Sequence, residues 1–368
     1  MEAELFKAAD LIIWDEVPMQ HRYIPEAVNR TLQDVLGNQK PFGGISVVFG
    51  GDFQQILPVI VKGSRSQIIG ACLQESNLWQ ILKILPLKIN MRLGQDHAER
   101  GFAQWQLDVG HGKHTNADGD ITLLDEFKCP QNTIDSLIDT IYPGISDDTL
   151  PSDQYFTDRC ILSARNEDVH SINAQVLNTF PGEERTYHSA DWVASENEDD
   201  ISTIYPVEFL NSINASGLPL AKLKLKIGCP VIVLRNLNPA QGVCNGTRGI
   251  ITRMANRVVE IRLLGGDFAG ETVFIPRITL SPSNTELGFK FKQCQHPLCL
   301  AFAMSINKAQ GQSVKYVGLD LRNPVFSHGQ FYVAISRATS VHRVKAIWNP
   351  QNVQPITKNI VYEQVLLD

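Results

Sequence analysis

Two adjacent carboxylates near the start of the chain are the first residues whose types and spacing could do chemistry. Asp15 and Glu16 directly follow the apolar residues 11–14, a pattern that predicts a buried strand with both acids at its end. Hydrolysis of a nucleoside triphosphate needs one carboxylate to hold Mg²⁺ and another to orient or activate water. Taken alone, an Asp-Glu pair at the end of a strand is more often an ordinary turn.

A second polar segment follows the next apolar run. Gly51 permits an unusual backbone path, and Asp52 and Gln55 come shortly after it. The amide of Gln55 can contact a phosphate without adding charge. The distance in sequence from Glu16, one helix and one strand, fits neighbouring strands of one sheet. The alternative interpretation is again a turn.

The polar residues 305–313 follow a further apolar run and offer hydroxyl, amide and ammonium donors beside a glycine. This combination suits contacts to phosphate or sugar. The candidate binding residues are Ser305, Asn307, Lys308, Gln310 and Gly311. A polar helix start capped by Ser305 is the alternative interpretation.

Arg337 ends the aromatic and β-branched run that begins at Gln330. A short buried element with an arginine at its tip can place a guanidinium in a neighbouring site. The planar guanidinium stays charged and binds phosphate oxygens in pairs. One such arginine is weak evidence, but its position after the three preceding segments indicates a site for a phosphorylated ligand.

The elements that must position these segments alternate between strands and helices. Strands are predicted at 10–14, 43–50, 83–91, 160–163, 298–304 and 316–319. Helices are predicted at 24–36, 102–109, 134–141, 169–177 and 329–337. Continuous apolar strands that alternate with helices indicate a parallel sheet covered on both faces.

The middle of the chain differs from both ends. Residues 181–219 are acidic and irregular, and residues 223–278 contain short β-runs broken by Gly and Asn, which predicts a small barrel. Between Lys222 and Arg262 eight basic residues, Arg248 among them, stand against one acidic residue, so this part could bind phosphate. A solvated β-surface with lysines at its edges is the alternative.

Composition sets the outer limits of the interpretation. The chain has 368 residues, 43% hydrophobic and 20% charged, with a net charge of −6, which is typical of a globular protein of two or three domains. No apolar run reaches the roughly 18 residues needed to cross a bilayer, so we expect no membrane contact. The seven scattered cysteines predict a reducing compartment rather than a disulfide framework. A monomer is expected.

Taken in order, these segments resemble the PIF-type 5′→3′ DNA helicases of superfamily one, in particular those of rolling-circle transposons and fungi. The resemblance extends from Leu11 to Trp348. It implies an α/β fold of two RecA-like P-loop NTPase domains, the first incomplete, with a small β-barrel inserted in the second. The implied segments are 1–90 for the first domain, 91–180 and 289–368 for the second, and 181–288 for the acidic loop and barrel.

The resemblance also implies catalytic roles. Asp15 and Glu16 match the Walker B pair, so Asp15 would hold Mg²⁺, through water, and Glu16 would act as general base. Arg92 lies in a segment that resembles the fourth helicase motif. Arg337 matches the arginine finger of the sixth motif, and both arginines would neutralise charge on the γ-phosphoryl group.

Binding roles follow from the same resemblance. The third motif is matched by Gly51, Asp52 and Gln55, and the fifth by Gln310 and Gly311, all of which would contact the nucleotide. The implied DNA-binding residues are Ser305, Asn307, Lys308 and Arg248. The implied cofactors are ATP and Mg²⁺, and the implied partners are single-stranded DNA and DNA junctions. The role would be DNA maintenance, repair or recombination, in the nucleus or alternatively in mitochondria.

One departure from the family is large. The family needs a Walker A loop, Gly-x-x-x-x-Gly-Lys-Ser/Thr, and this string does not occur in the sequence, where 14 residues precede Asp15. We therefore expect an N-terminally incomplete copy that hydrolyses ATP very poorly. The alternatives are a non-catalytic remnant that binds single-stranded nucleic acid and a protein-interaction scaffold. The trio of Cys294, His296 and Cys299 matches no standard zinc spacing.

Overall fold

The computed structural model of the protein describes residues 2–93, 97–194, 205–215, 217–282 and 287–367. The α-helices are α1 (Glu2–Lys7), α2 (Tyr23–Leu36), α3 (Arg65–Ala71), α4 (His97–Gly110), α5 (Ile134–Ile141), α6 (Asp153–Thr157), α7 (Asn166–Thr179), α8 (Val207–Asn211) and α9 (Gln330–Ile335). No helix in these ranges is long and apolar enough to cross a membrane.

The β-strands are short and spread along the chain. They are β1 (Leu11–Trp14), β2 (Ser46–Phe49), β3 (Asp120–Thr122), β4 (Arg159–Ser163), β5 (Arg185–His188), β6 (Ala190–Ala194), β7 (Lys222–Leu225), β8 (Pro230–Val233), β9 (Arg248–Met254), β10 (Val258–Leu264), β11 (Thr272–Pro276), β12 (Ile278–Leu280), β13 (Lys290–Gln295), β14 (Leu298–Leu300), β15 (Ala303–Ser305), β16 (Tyr316–Leu321), β17 (Val344–Trp348) and β18 (Ile356–Lys358).

Contacts between residues divide the chain into two compact units. Unit 1 combines Met1–Asn132 with Ser305–Asp368, and unit 2 is Thr133–Met304. The first and last parts of the chain thus fold together, and the acidic and β-rich middle lies within the other unit. The domain boundaries expected near residues 90, 180 and 288 stay a prediction.

The first two strands of unit 1 form a parallel pair that helix α2 covers on one face. Strand β1 pairs with β2 in the register Leu11↔Ser46 to Trp14↔Phe49. Leu32 of α2 packs with Phe42 and Leu78 against the partly buried side chains of these strands. At Gly43 a side chain would collide with the carbonyl of Leu32, so the glycine allows this close packing.

The strand predicted at 83–91 is wrong. Within the described residues this segment pairs with no strand, and Leu85, Leu87, Ile89 and Met91 are exposed. Apolar residues with high β-propensity predict a strand, but a strand also needs a hydrogen-bonding neighbour, and β1 and β2 pair with each other.

The later part of unit 1 carries a second parallel pair and a buried helix. Strand β16 pairs with β17 from Val317↔Val344 to Leu321↔Trp348. All six residues of α9 are buried. The side chain of Gln106, on α4, donates to the carbonyls of Ile335 at 2.7 Å and Ala338 at 3.1 Å, which fixes the end of α9 next to Arg337.

Unit 2 contains antiparallel sheets. A five-stranded sheet has the order β11-β10-β9-β8-β14, a three-stranded sheet has the order β12-β13-β6, and β5 pairs with β7. The predicted β-runs are therefore confirmed as strands. The five-stranded sheet ends on β11 and β14 among the described strands, so the closed barrel is not confirmed.

The strand predicted at 298–304 is divided into β14 and β15. Leu298 and Leu300 pair with β8, whereas the carbonyl of Phe302 accepts from the backbone N–H of Ile161, in the middle of β4. Ala301 and Phe302 are fully buried between the two strands. Hydrophobicity continues through this change of partner, so the pattern alone could not locate it.

Candidate functional site

The loop after β1 and the loop after β2 are joined through their backbones. The N–H of Gly50 donates to the carbonyl of Trp14 at 2.8 Å, and the N–H of Val17 donates to the carbonyl of Gly50 at 3.0 Å. Asp15 and Glu16 lie between these two bonds, at the carboxyl end of the parallel pair. Ligands bind at such ends in open α/β sheets.

Asp15 presents its carboxylate to solvent at this edge. The residue is exposed, and its Oδ1 accepts the backbone N–H of Glu16 at 2.9 Å. A side chain at Gly50 would lie 2.8 Å from the same Oδ1. The glycine therefore leaves the space that Asp15 occupies, and Oδ2 is free of this internal bond.

Glu16 is held in an uncommon backbone conformation and contacts a distant segment. Its φ is 54°, in the left-handed region, which directs its side chain away from that of Asp15. Its Oε2 accepts the side-chain N–H of Gln310 at 2.8 Å. A side chain at Gly311, whose φ is 75°, would approach Glu16 Oε1 to 3.9 Å. The predicted first and third polar segments thus meet.

Arg337 lies beside the same segment and is 6% exposed. Its Nη1 donates to the carbonyls of Ala309 at 3.3 Å and Gln312 at 2.9 Å, on either side of Gln310. Its Nε donates to the carbonyl of Val333 and its Nη2 to the hydroxyl of Ser336, both at 2.9 Å. These bonds use four of its five N–H donors.

The surroundings of Arg337 shift the pKa of its guanidinium in both directions. Burial, followed by the charge of Arg92, lowers the pKa of its guanidinium, and Glu16 and Asp52 oppose that change. An arginine remains charged at neutral pH despite such a change. Arg92 itself is exposed, and its backbone N–H donates to Asn90 Oδ1 at 3.0 Å. The predicted catalytic residues Glu16, Arg92 and Arg337 are therefore close enough in unit 1 for the charges of the first two to act on the third.

The segment after β2 folds around Asp52. Its Oδ1 accepts the backbone N–H of Gln54 at 2.9 Å, and its Oδ2 accepts the side-chain N–H of Gln55 at 3.4 Å. Tyr332, on α9, lies near the same carboxylate. Burial raises the pKa of its phenol well above the usual range, and the charge of Asp52 raises it further. Asp52 thus lies near the helix that precedes Arg337.

A buried histidine, which the sequence did not single out, fastens the same loop. His328 is fully buried, its Nε2 lies 2.8 Å from the carbonyl of Phe53, and its Nδ1 accepts the N–H of Tyr362 at 2.8 Å. The proton on Nε2 follows from these two partners. A side chain on Gly329 would lie 2.4 Å from the carbonyl oxygen of Gln54. The only feature of the sequence that could have indicated this histidine is the pair of His328 and Gly329 before α9.

The candidate DNA-binding residues of the third segment surround the start of α9. Asn307 Oδ1 accepts the side-chain N–H of Gln330 at 2.9 Å, and Lys308 is exposed. Ser305 precedes the short 3-10 helix Ile306–Ala309, and its side chain makes no capping bond there. Ser305 therefore occupies the N-cap position of a 3-10 turn, rather than of an α-helix, without a capping bond from its side chain.

Arg248 does not join these residues. It lies in unit 2, is 8% exposed, and its Nη2 donates to the carbonyls of Phe156 at 2.9 Å and Arg159 at 3.4 Å. A guanidinium that is buried against backbone carbonyls stabilises the fold locally. This burial does not favour the predicted DNA contact at Arg248.

Unit 1 contains two side-chain acceptors that the fold leaves unused. Gln55 Oε1 and Gln310 Oε1 are buried without a hydrogen-bond partner among the described residues. No group of three His, Cys, Asp or Glu side chains could hold a metal in that part of the chain. Asp15 offers an exposed carboxylate at this edge that could hold a cation.

Comparison with protein families and curated proteins gives a consistent result. Residues 1–120 match the family described as PIF1-like helicase, and residues 208–254 match the 2B domain of DNA helicase Pif1. The chain is 26% identical to the human ATP-dependent DNA helicase PIF1 over 91% of its own length and 46% of that protein. It is 27% identical to ATP-dependent DNA helicase Pif1 of Bdellovibrio bacteriovorus over 93% of its length and 67% of that protein.

The fold comparison agrees. The structure of Pif1 helicase from Bacteroides in complex with ADP-AlF3 and single-stranded DNA matches with a TM-score of 0.65 at 22% identity, over 100% of this chain and 74% of that one. The chain spans 46% of the length of the human relative, about half. In sequence the chain is similar to the PIF1-like helicases, and its fold is the RecA-like α/β fold of the Pif1 structures.

Proposed function

We propose that the protein is an ATP-dependent 5′→3′ DNA helicase of the PIF type, acting in DNA maintenance, repair or recombination. The observation that carries this proposal is the connection of Glu16 to Arg337 through the segment around Gln310. A general base and an arginine that share one support are what hydrolysis of a terminal phosphate requires. The curated relatives are named as ATP-dependent DNA helicases, which supports the same reaction.

Each residue has a role that its position allows. Asp15, at the exposed edge, would hold Mg²⁺ through water, and the ion would neutralise charge between the phosphates. Glu16 would accept the proton of the attacking water, in a position fixed by Gln310. Arg337 would turn its guanidinium from backbone carbonyls to the γ-phosphoryl group, and Arg92 would add a second positive charge there.

DNA binding would be coupled to this site through α9. Gln330, the first residue of α9, donates to Asn307, so a strand held at Ser305, Asn307 and Lys308 would act on the helix that leads to Arg337. The proposed partners are single-stranded DNA and DNA junctions, and the proposed active form is a monomer. Cycles of nucleotide binding and release would then move the protein along the strand.

The test is DNA-stimulated ATP hydrolysis by the polypeptide of these 368 residues. Because this sequence contains no Gly-x-x-x-x-Gly-Lys-Ser/Thr loop to position the phosphates, we expect slow turnover. Glu16→Gln should abolish the turnover that remains. Glu363→Gln, an exposed glutamate of the same unit, is the matched control and should leave it unchanged.

The outcomes separate the parts of the proposal. Fast turnover that disappears in Glu16→Gln would support the site and contradict the expected impairment. Turnover that is equal in Glu16→Gln and Glu363→Gln would contradict the site itself. No turnover, together with binding of single-stranded DNA that weakens with salt, would favour the second candidate, a non-catalytic remnant. That candidate is supported by the four N–H donors that Arg337 spends inside the protein.

A further inference from the structure

The outward face of the three-stranded sheet in unit 2 carries an exposed indole beside lysines. Trp192, on β6, is 40% exposed and pairs directly with Lys292 on β13, while Ala194 pairs with Lys290. Side chains directly opposite each other in an antiparallel pair lie on the same face. The indole and the two lysine side chains therefore share one surface.

The described strands contribute no negative charge to this surface. Asp191 and its partner Gln293 lie on the inward face, where Phe291, Gln293 and Gln295 are buried. The outward residues of the three described strands are Ala190, Trp192, Ala194, Thr279, Lys290, Lys292 and Cys294. None of these is a carboxylate, so the strands place positive charge beside the indole and no negative charge.

A third cation approaches the same place. Lys292 Nζ donates to the hydroxyl of Ser281 at 2.8 Å, and Arg235 Nη2 donates to the carbonyl of Ser281 at 3.0 Å. An ammonium and a guanidinium thus converge on one neutral residue. The ammonium of Lys292 and the guanidinium of Arg235, which both bond to Ser281, repel each other, and an anion between them would remove that repulsion.

We propose that Trp192, Lys292 and Arg235 form a binding surface for single-stranded DNA on unit 2. A base stacks on the indole of Trp192, and the neighbouring phosphates lie against Lys292 and Arg235. Stacking on an aromatic ring beside basic residues holds single strands without reading their sequence. This inference rests on the proposed function and names a place where the inserted part of the chain holds the strand.

Unit 2 also carries an exposed aromatic side chain with different neighbouring charges, which serves as a control. Phe274, on β11, is 63% exposed but pairs directly with Glu260. Glu260 lies 4.0 Å from Arg253, the residue it pairs with on β9, so the charges beside this ring cancel and the ring should not hold DNA. The two sites differ in the charge next to an exposed aromatic side chain, which is the feature that the proposal depends on.

The experiment measures binding of the full chain to fluorescent oligothymidine by anisotropy. Trp192→Ala should weaken binding by about five- to tenfold, the lower part of the range for one stacked base. Trp192→Phe should retain most of the affinity because it keeps an aromatic face. Phe274→Ala should bind like the unchanged protein. Thermal unfolding of each variant establishes that it is folded.

An oligonucleotide of abasic sites separates stacking from charge. It keeps the phosphates and has no bases, so Trp192→Ala and the unchanged protein should bind it equally. Lys292→Gln should weaken binding to both oligonucleotides and reduce the salt dependence of log K by about 0.7, the value for one phosphate of a single strand. If the surface recognised charge alone, an acidic peptide would displace oligothymidine and the abasic oligonucleotide from it equally well.

Three results would overturn the inference. One is a Trp192→Ala variant that binds oligothymidine as well as Phe274→Ala does. Another is an equal loss for Trp192→Ala on both oligonucleotides, since stacking would then not be the cause. The third is a Lys292→Gln variant with an unchanged salt dependence. If the unchanged protein binds no single-stranded DNA, the proposed function fails together with this inference.

Discussion

The side-chain amide of Gln310 donates to Glu16 Oε2 at 2.8 Å and joins two segments that lie near opposite ends of the sequence. The carbonyls of Ala309 and Gln312, next to that amide, accept from Arg337. The proposed general base and the proposed arginine finger therefore share one short loop as their support. A change at Gln310 should act on both.

Gln310→Glu should place a second carboxylate against Glu16 and destabilise the protein in a pH-dependent manner. Like charges raise the pKa of the pair in the folded state, so the cost is present at pH 7 and disappears as the pH falls below the carboxyl range. A rise of about one pKa unit corresponds to about 1.4 kcal/mol. Chemical denaturation at pH 7 and pH 4 measures the difference between the variant and the unchanged protein.

Gln39→Glu is the control for this change, because Gln39 is exposed. It should alter the free energy of unfolding by less than about 0.5 kcal/mol at either pH. If both variants lose the same stability at pH 7, the added negative charge as such would explain the loss, and the contact between Gln310 and Glu16 would not be needed.

Gly329→Ala should displace the loop that contains Asp52 and Gln55. The φ of Gly329 is 71°, and a Cβ there would lie 2.4 Å from the Gln54 carbonyl oxygen and 2.6 Å from the Gln55 carbonyl carbon. Both are backbone atoms, which cannot turn aside. We expect a loss of more than about 2 kcal/mol, measured by denaturation.

The control for Gly329 has the same backbone angle and open surroundings. Gly266 also has a φ of 71°, and a Cβ there would meet nothing within 4 Å. Gly266→Ala should therefore cost only the strain of a left-handed residue, about 1 kcal/mol. Equal losses in the two variants would mean that backbone strain alone, and not the collision, accounts for Gly329.

The sequence predicted the polar segments of this site because chemistry leaves local patterns. An apolar strand followed by Asp15 and Glu16, and an aromatic helix followed by Ser336 and Arg337, can be recognised without neighbours. The sequence could not predict that Arg337 donates hydrogen bonds to the backbone carbonyls of Ala309 and Gln312, since these acceptors belong to a separate segment. The sequence also could not show that residues 83–91 form no strand or that Arg248 is buried, because strand pairing and burial depend on distant parts of the chain.

Two buried histidines should make stability fall with acid. Burial lowers the pKa of His328 and lowers that of His296 to about 4. The unfolded chain binds a proton at each near pH 6.5, so stability is complete above that pH and is lost as the pH falls towards the folded pKa. The slope is at most about 1.4 kcal/mol per pH unit for each residue. Denaturation between pH 7 and pH 4.5 measures it.

The slope can be assigned with single variants. His296→Asn should reduce the acid sensitivity, and His342→Gln, an exposed histidine, should leave it unchanged. His328→Asn should reduce it as well, but with lower stability at pH 7, because the bonds to Phe53 and Tyr362 are lost. An acid slope that survives in both buried variants would assign it to carboxylates instead.

Substitution of Arg337 and of Arg92 should change the free energy of unfolding by different amounts, although both residues are proposed to act on the same phosphate. Arg337→Lys removes the guanidinium from four buried or half-buried acceptors, and we expect a loss of about 2–4 kcal/mol. Arg92→Lys changes an exposed side chain and should cost less than about 0.5 kcal/mol. Both should reduce DNA-stimulated ATP hydrolysis, because a lysine cannot bind two phosphate oxygens as a planar fork does. Denaturation and hydrolysis are measured on the same preparations, and an Arg337→Lys variant as stable as Arg92→Lys would contradict the anchoring of Arg337 by the Gln310 segment.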